Sequence, residues 1–128
     1  MLYKKLCLNS KSTADSIKEL GGEPLIIFDD QYISGKEIED LEKTLLENYE
    51  PGKIILFAKP MTDALKKVSH EGYIVDNLER EEYLELYTPL VCQKEYIENY
   101  FKEFEHWDSN KFIKLNEERI EFHLTFST

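Results

Sequence analysis

The chain has 128 residues, 41% of them hydrophobic, and a formal net charge of −10. That length fits a single globular domain, residues 1–128, burying roughly two-thirds of its unfolded surface, so a core forms without metal or disulfide staples. The apolar content excludes a disordered chain, and the acidity argues against direct binding of nucleic acid or an anionic membrane.

Residues 2–8 read as a strand. They open on two lysines but lack an apolar run of signal-peptide length and a small-residue cleavage site, and no stretch of the chain approaches a membrane span. A cytoplasmic protein is therefore expected, with Cys7 and Cys92 as reduced, buried thiols. Ser12, with Asp15 three residues on, starts a helix carrying Ala14, Ile17 and Leu20 that Gly21-Gly22 ends. Residues 24–28, Pro-Leu-Ile-Ile-Phe, are continuously apolar, the pattern of a strand covered on both faces.

Ser34 and Glu37 form a capping box, and Ile38, Leu41, Leu45 and Tyr49 recur on one helical face until Pro51-Gly52. Residues 53–58 repeat the buried-strand pattern. A helix from Thr62 with Leu65 and Val68 inward follows, ended by Gly72, and then a strand at 73–75. Residues 77–87 fit a short helix from Asn77 or a strand through Leu84 and Leu86. Residues 88–92 read as a strand and 94–107 as a helix with Ile97, Tyr100, Phe101, Phe104 and Trp107 inward. Residues 111–115 and 119–126 read as a hairpin turning near Asn116-Glu117, with Ile120, Phe122, Leu124 and Phe126 on one face. The fold class is α/β or α+β: one domain, a mixed sheet with covering helices and a C-terminal antiparallel hairpin.

Motifs for chemistry are sparse. Asp29-Asp30 directly follows an apolar strand, where ligands and hard cations bind in open α/β sheets, and Lys59 could join them from the neighbouring strand. Acids also commonly end strands and open turns. His70, His106 and His123 match no zinc spacing; His70 is expected near a helix C-terminus and His123 on an outward strand face. With five glycines in the chain, neither a nucleophile elbow nor a phosphate-cradling loop is present.

The charge is uneven. From Glu71 to Asp108 there are eleven acids against three bases, and eight of the sixteen aromatics. An aromatic helix core with a solvated opposite face accounts for part of this, but like charges packed this densely destabilise a compact state unless something is gained. The expectation is a small cytosolic binding protein of bacterial or phage type that neutralises a basic protein partner, such as a nuclease-like toxin or defence protein, as an immunity protein or anti-defence inhibitor would. Its anchors would be Glu79, Glu81, Glu82, Tyr83, Glu85 and Tyr87, with no catalytic residue and no cofactor. Two alternatives stand beside it: a small metal-dependent enzyme built on Asp29 and Asp30, and a structural or homo-oligomeric module.

Overall fold

A computed structural model describes residues 3–18, 20–21, 24–28, 36–60, 65–78 and 84–124. Strands β1 (Lys4–Cys7), β2 (Leu25–Phe28), β3 (Ile54–Pro60), β6 (Leu84–Cys92) and β7 (Ile120–Leu124) form a five-stranded sheet in the order β1-β2-β6-β3-β7. β4 (Leu65–Val68) and β5 (Ile74–Leu78) pair only with each other, as a separate two-stranded sheet. Within the larger sheet β1 is parallel to β2 and β3 to β7, while β6 runs antiparallel to both of its neighbours. Four strands therefore point one way and the central one points back. The class is α/β, with a mixed sheet and covering helices, as expected.

The continuously apolar strands are explained by cover on both faces. Leu25, Ile27, Ile54, Leu56, Leu90 and Cys92 face a core completed by Leu8, Ile17 and residues of the last two helices, α2 (Lys94–Glu103) and α3 (Ser109–Leu115). The alternate residues Ile26, Ile55, Phe57 and Val91 face α1 (Lys36–Asn48) through Leu45, with Leu41, Leu46 and Tyr49 packed around them. Leu41, Leu45 and Tyr49 belong to the stripe that marked this helix in the sequence. Each fully buried aliphatic side chain contributes roughly 1.5–3 kcal/mol relative to exposure.

Several local expectations need correction. The Ser12 helix is a single 3-10 turn, Ala14–Ile17, capped one residue later: Thr13 Oγ1 accepts from the Asp15 N–H at 3.4 Å and Ser16 Oγ accepts from the Thr13 N–H at 3.2 Å. Ser12 instead accepts, through Oγ, from the Asn9 N–H. Residues 65–68 are a strand rather than a helix. Gly72, at φ 90°, closes a tight turn in which Ser69 N–H donates to Tyr73 O at 2.8 Å, so the glycine that looked like a helix stop is a hairpin turn. His70 sits exposed in that turn, not at a helix end. Cys92 is buried, but Cys7 is exposed on the edge strand.

The C-terminal antiparallel hairpin is also corrected. Asp108 accepts from the N–H groups of Asn110 and Lys111 at 2.9 and 3.2 Å, an N-cap that starts α3 where a strand was expected. Phe112 is then buried on the helix, and Asn116 ends it by donating from Nδ2 to Phe112 O at 2.9 Å. β7 consequently pairs parallel with β3, its distant neighbour in sequence, instead of antiparallel with the preceding segment. Phe122 is half exposed because β7 is an edge strand; Phe126 lies outside the described residues.

Residues 84–92, partly ambiguous in sequence, form the longest strand, and it is central. Its pairing with β3 shifts register between Ile55 and Phe57, where Pro89 falls opposite. Proline cannot donate to a ladder and is tolerated inside a sheet at such irregularities.

Candidate functional site

Strand direction creates one rim of interest. The carboxyl ends of β1, β2, β3 and β7 and the amino end of β6 meet at the same edge of the sheet, where open α/β sheets bind ligands. β2 reaches it at Phe28, immediately before Asp29-Asp30 in the chain. β3 brings Lys59, and register places Glu85 of β6 directly opposite it. One strand separates β2 from β3, about 10 Å across the sheet, and register sets Lys59, opposite Glu85, four residues further along β6 than Pro89, the position level with Phe28. Asp29 and Asp30 lie outside the described residues. Among the described residues no group of three or more His, Cys, Asp or Glu side chains could hold a metal ion.

Of the expected anchor residues, Glu79, Glu81, Glu82 and Tyr83 lie outside the described residues. The backbone of Glu85 and Tyr87 is placed opposite Lys59 and Phe57, in a strand with neighbours on both sides. The sequence left residues 77–87 as a short helix or a strand and expected their acids and tyrosines to bind a partner; from Leu84 the chain is a strand in the middle of the sheet. No local signal could have shown this, since a central antiparallel strand between two parallel ones is a property of topology. His70, His106 and His123 are exposed, and the His123 ring meets Phe57 edge-on at 6.0 Å between centroids.

Away from the rim, a buried carboxylate joins β1 to α1. Glu42 is only 4% exposed, and Lys5 Nζ approaches its Oε1 at 2.9 Å. The carboxylate holds the Lys5 ammonium above its ordinary value of 10.5, outweighing the opposing effect of burial. An open groove of about 500 Å³ lies beside the pair, lined by Tyr3, Lys5, Glu39, Glu42, Lys43, Leu46 and Glu47. Its mixed signs suit an ion-paired surface. No described helix is long and apolar enough to cross a membrane.

No protein-family model matches the chain, and no curated protein matches it in sequence. Solved structures do match. The 4-diphosphocytidyl-2C-methyl-D-erythritol synthase from Anaerococcus prevotii superposes with a TM-score of 0.59 at 16% identity, over 89% of this chain and 54% of that one. The 2-C-methyl-D-erythritol 4-phosphate cytidylyltransferase from Thermus thermophilus gives 0.61 at 16% identity, over 90% and 57%. The bifunctional IspDF from Campylobacter jejuni gives 0.62 at 17%, over 87% of this chain and 28% of that one. This chain thus spans about half the length of the first two and less of the third.

At these identities the likeness is one of fold. It overturns the expectation of a toxin-neutralising inhibitor or immunity protein, because the fold is shared with enzyme structures over 87% to 90% of this chain. High acid density was a weak guide: of the eleven acids from Glu71 to Asp108, Glu85 belongs to β6, a strand paired on both sides, and Glu95, Glu98 and Glu103 belong to α2.

Proposed function

We propose that this chain is a nucleotidyltransferase-type enzyme module, acting at the rim where the parallel strands end, on a phosphorylated polyol and a cytidine nucleotide. The observation that carries the reading is the likeness to cytidylyltransferase structures over 90% of this chain at a TM-score of 0.61. In such a transfer an acceptor phosphate oxygen attacks the nucleotide α-phosphorus and pyrophosphate leaves, so the site must neutralise accumulated negative charge. A divalent cation supplies most of that neutralisation when bound. In this chain Asp29-Asp30 would hold it, hard carboxylate oxygens being the ligands such ions prefer, and Lys59 would supply a fixed cation across the rim. With no glycine-rich phosphate loop in the 128 residues, these groups carry the electrostatic work assigned here.

The test is a calorimetric titration with CTP and Mg²⁺, paired with pyrophosphate release in the presence of 2-C-methyl-D-erythritol 4-phosphate. Metal-dependent nucleotide binding, and turnover that drops by about two orders of magnitude in Asp30→Asn, is the expected result. Neither heat nor pyrophosphate with any of the four nucleoside triphosphates would remove the proposal.

A further inference from the structure

The face of the sheet opposite α1 carries a groove of about 340 Å³ between the 3-10 turn and α2, within the size range of small-molecule sites. Its lining follows from spacing. Lys94, Glu98, Phe101 and Lys102 fall at i, i+4, i+7 and i+8 on α2, one helical face, and Ala14, Ile17 and Lys18 come from the turn. Buried Ile17 and half-buried Phe101 make an apolar floor, with Lys18, Glu98 and Lys102 exposed at its lip. Hydrogen bonds tie the two walls together. Lys94 Nζ donates to Leu20 O, and beyond the other end of α2 the Trp107 N–H donates to Ser12 O at 2.9 Å.

We propose that this groove binds a small organic dicarboxylate, with an acid group at each end and an apolar middle. The order of charges along it carries the inference. The two bonds above run the turn antiparallel to α2, so Lys18 and half-buried Lys94 stand at one end and Lys102 at the other. Eight residues of helix separate Lys94 from Lys102, about 12 Å. Their hydrogen bonds end on uncharged acceptors, Leu20 O and Asn99 Oδ1, while Lys18 shares its charge with Asp15 at 2.7 Å. Each end therefore offers about one positive charge, which suits a carboxylate better than a doubly charged phosphate. Glu98 lies midway and repels an acid group there, leaving the floor to the apolar part of the ligand. On a chain of net charge −10, three lysines lining one groove are a local reversal of sign that a neutral or cationic ligand would not use.

Titrating the whole chain with straight-chain α,ω-dicarboxylates from succinate to dodecanedioate tests this. Metal-free buffer leaves the rim, with Asp29-Asp30, no cation with which to hold an anion. Binding is read by calorimetry and by fluorescence of Trp107, the single tryptophan, whose ring lies 6.2 Å from that of Phe101. Saturable binding with an optimum at an intermediate length is expected, since only a matching span sets both carboxylates on their lysines. The monocarboxylate of that length should bind about tenfold more weakly. Lys102→Gln should weaken the best dicarboxylate by about the same factor and affect the monocarboxylate far less, because that ligand keeps the Lys94 end. Lys114→Gln, on α3, makes the same change in net charge and should alter neither. Lys102 and Lys114 are both exposed, so both variants keep the fold. No saturable binding below about 10 mM, affinity that rises with length without an optimum, or equal effects of the two variants overturns the proposal.

Discussion

The aromatic cluster under α2 and α3 and the β4–β5 ribbon are built from comparable residues and end in opposite states. Tyr100, Trp107 and Phe112 are 0%, 4% and 0% exposed, whereas Ile74 is 64% exposed. The difference lies in how many elements converge. Tyr100 stacks on Phe104 at 4.9 Å and meets Trp107 and Phe112 at 5.0 and 6.1 Å, while its hydroxyl donates to His106 O at 2.5 Å and accepts from the Asp108 N–H at 2.8 Å. Helix, loop and second helix all close on one ring. The ribbon is made of two strands and one turn. Apolar content sets how much a segment could bury; topology decides whether it does.

The contrast breaks most sharply at Tyr100. Tyr100→Ala should cost about 3–5 kcal/mol in chemical denaturation, and a loss below about 1 kcal/mol would show that the cluster does not hold the helices. Tyr100→Phe should cost about 1–3 kcal/mol, because the Asp108 N–H and His106 carbonyl lose a shared partner. The same ring gives a pH signature. Burial raises the Tyr100 phenol above its ordinary value of 10.0, against the smaller pull of the Asp108 N–H. Its folded pKa is thus the higher one, so the stability it contributes is complete below pH 10 and lost as pH rises through the folded value. In an ultraviolet titration its ionisation should come above the ordinary value of 10.0 and together with unfolding.

Lys5→Ala comes next, at about 1–3 kcal/mol, since it strips the cation from a carboxylate that is nearly fully buried. Glu42→Gln should be milder, because Lys5 is half exposed and recovers water; equal losses would mean that the pair acts through packing. Asp108→Ala removes the cap that made α3 a helix and should cost about 1 kcal/mol. Smallest is Ile74→Ala in dilute protein, within about 0.5 kcal/mol, as for an exposed position; a larger loss would place the ribbon among the packed parts of the fold.

Much of the core was legible because its residues leave few choices. Runs such as Leu25-Ile26-Ile27 and Ile54-Ile55-Leu56 require cover on both faces, and the stripe through Leu41, Leu45 and Tyr49 requires a helix to provide it. Short amphipathic stretches were not. Lys66-Lys67-Val68 and Lys111-Phe112-Ile113 each satisfy either period over so few residues, and the deciding groups sit outside them, in Gly72 and Asp108. At the candidate site, the strand-end carboxylates Asp29 and Asp30 were visible as sequence. The strand directions that bring Lys59 and Glu85 to the same rim were not, because they arise from pairings between residues far apart in the chain.

The position of β6 also governs assembly. β1 and β2 share no ladder with β3 and β7; both pairs are joined only through β6, whose first residue is Leu84. Until that strand enters, the chain holds two half-sheets with no hydrogen bonds between them, and each presents an open edge. Folding of the main sheet is therefore a late, non-local closure, slow by the measure of sequence separation, and a nascent chain halted before Leu84 would lack β7 as well, leaving one edge of β2 and both edges of β3 open to aggregation.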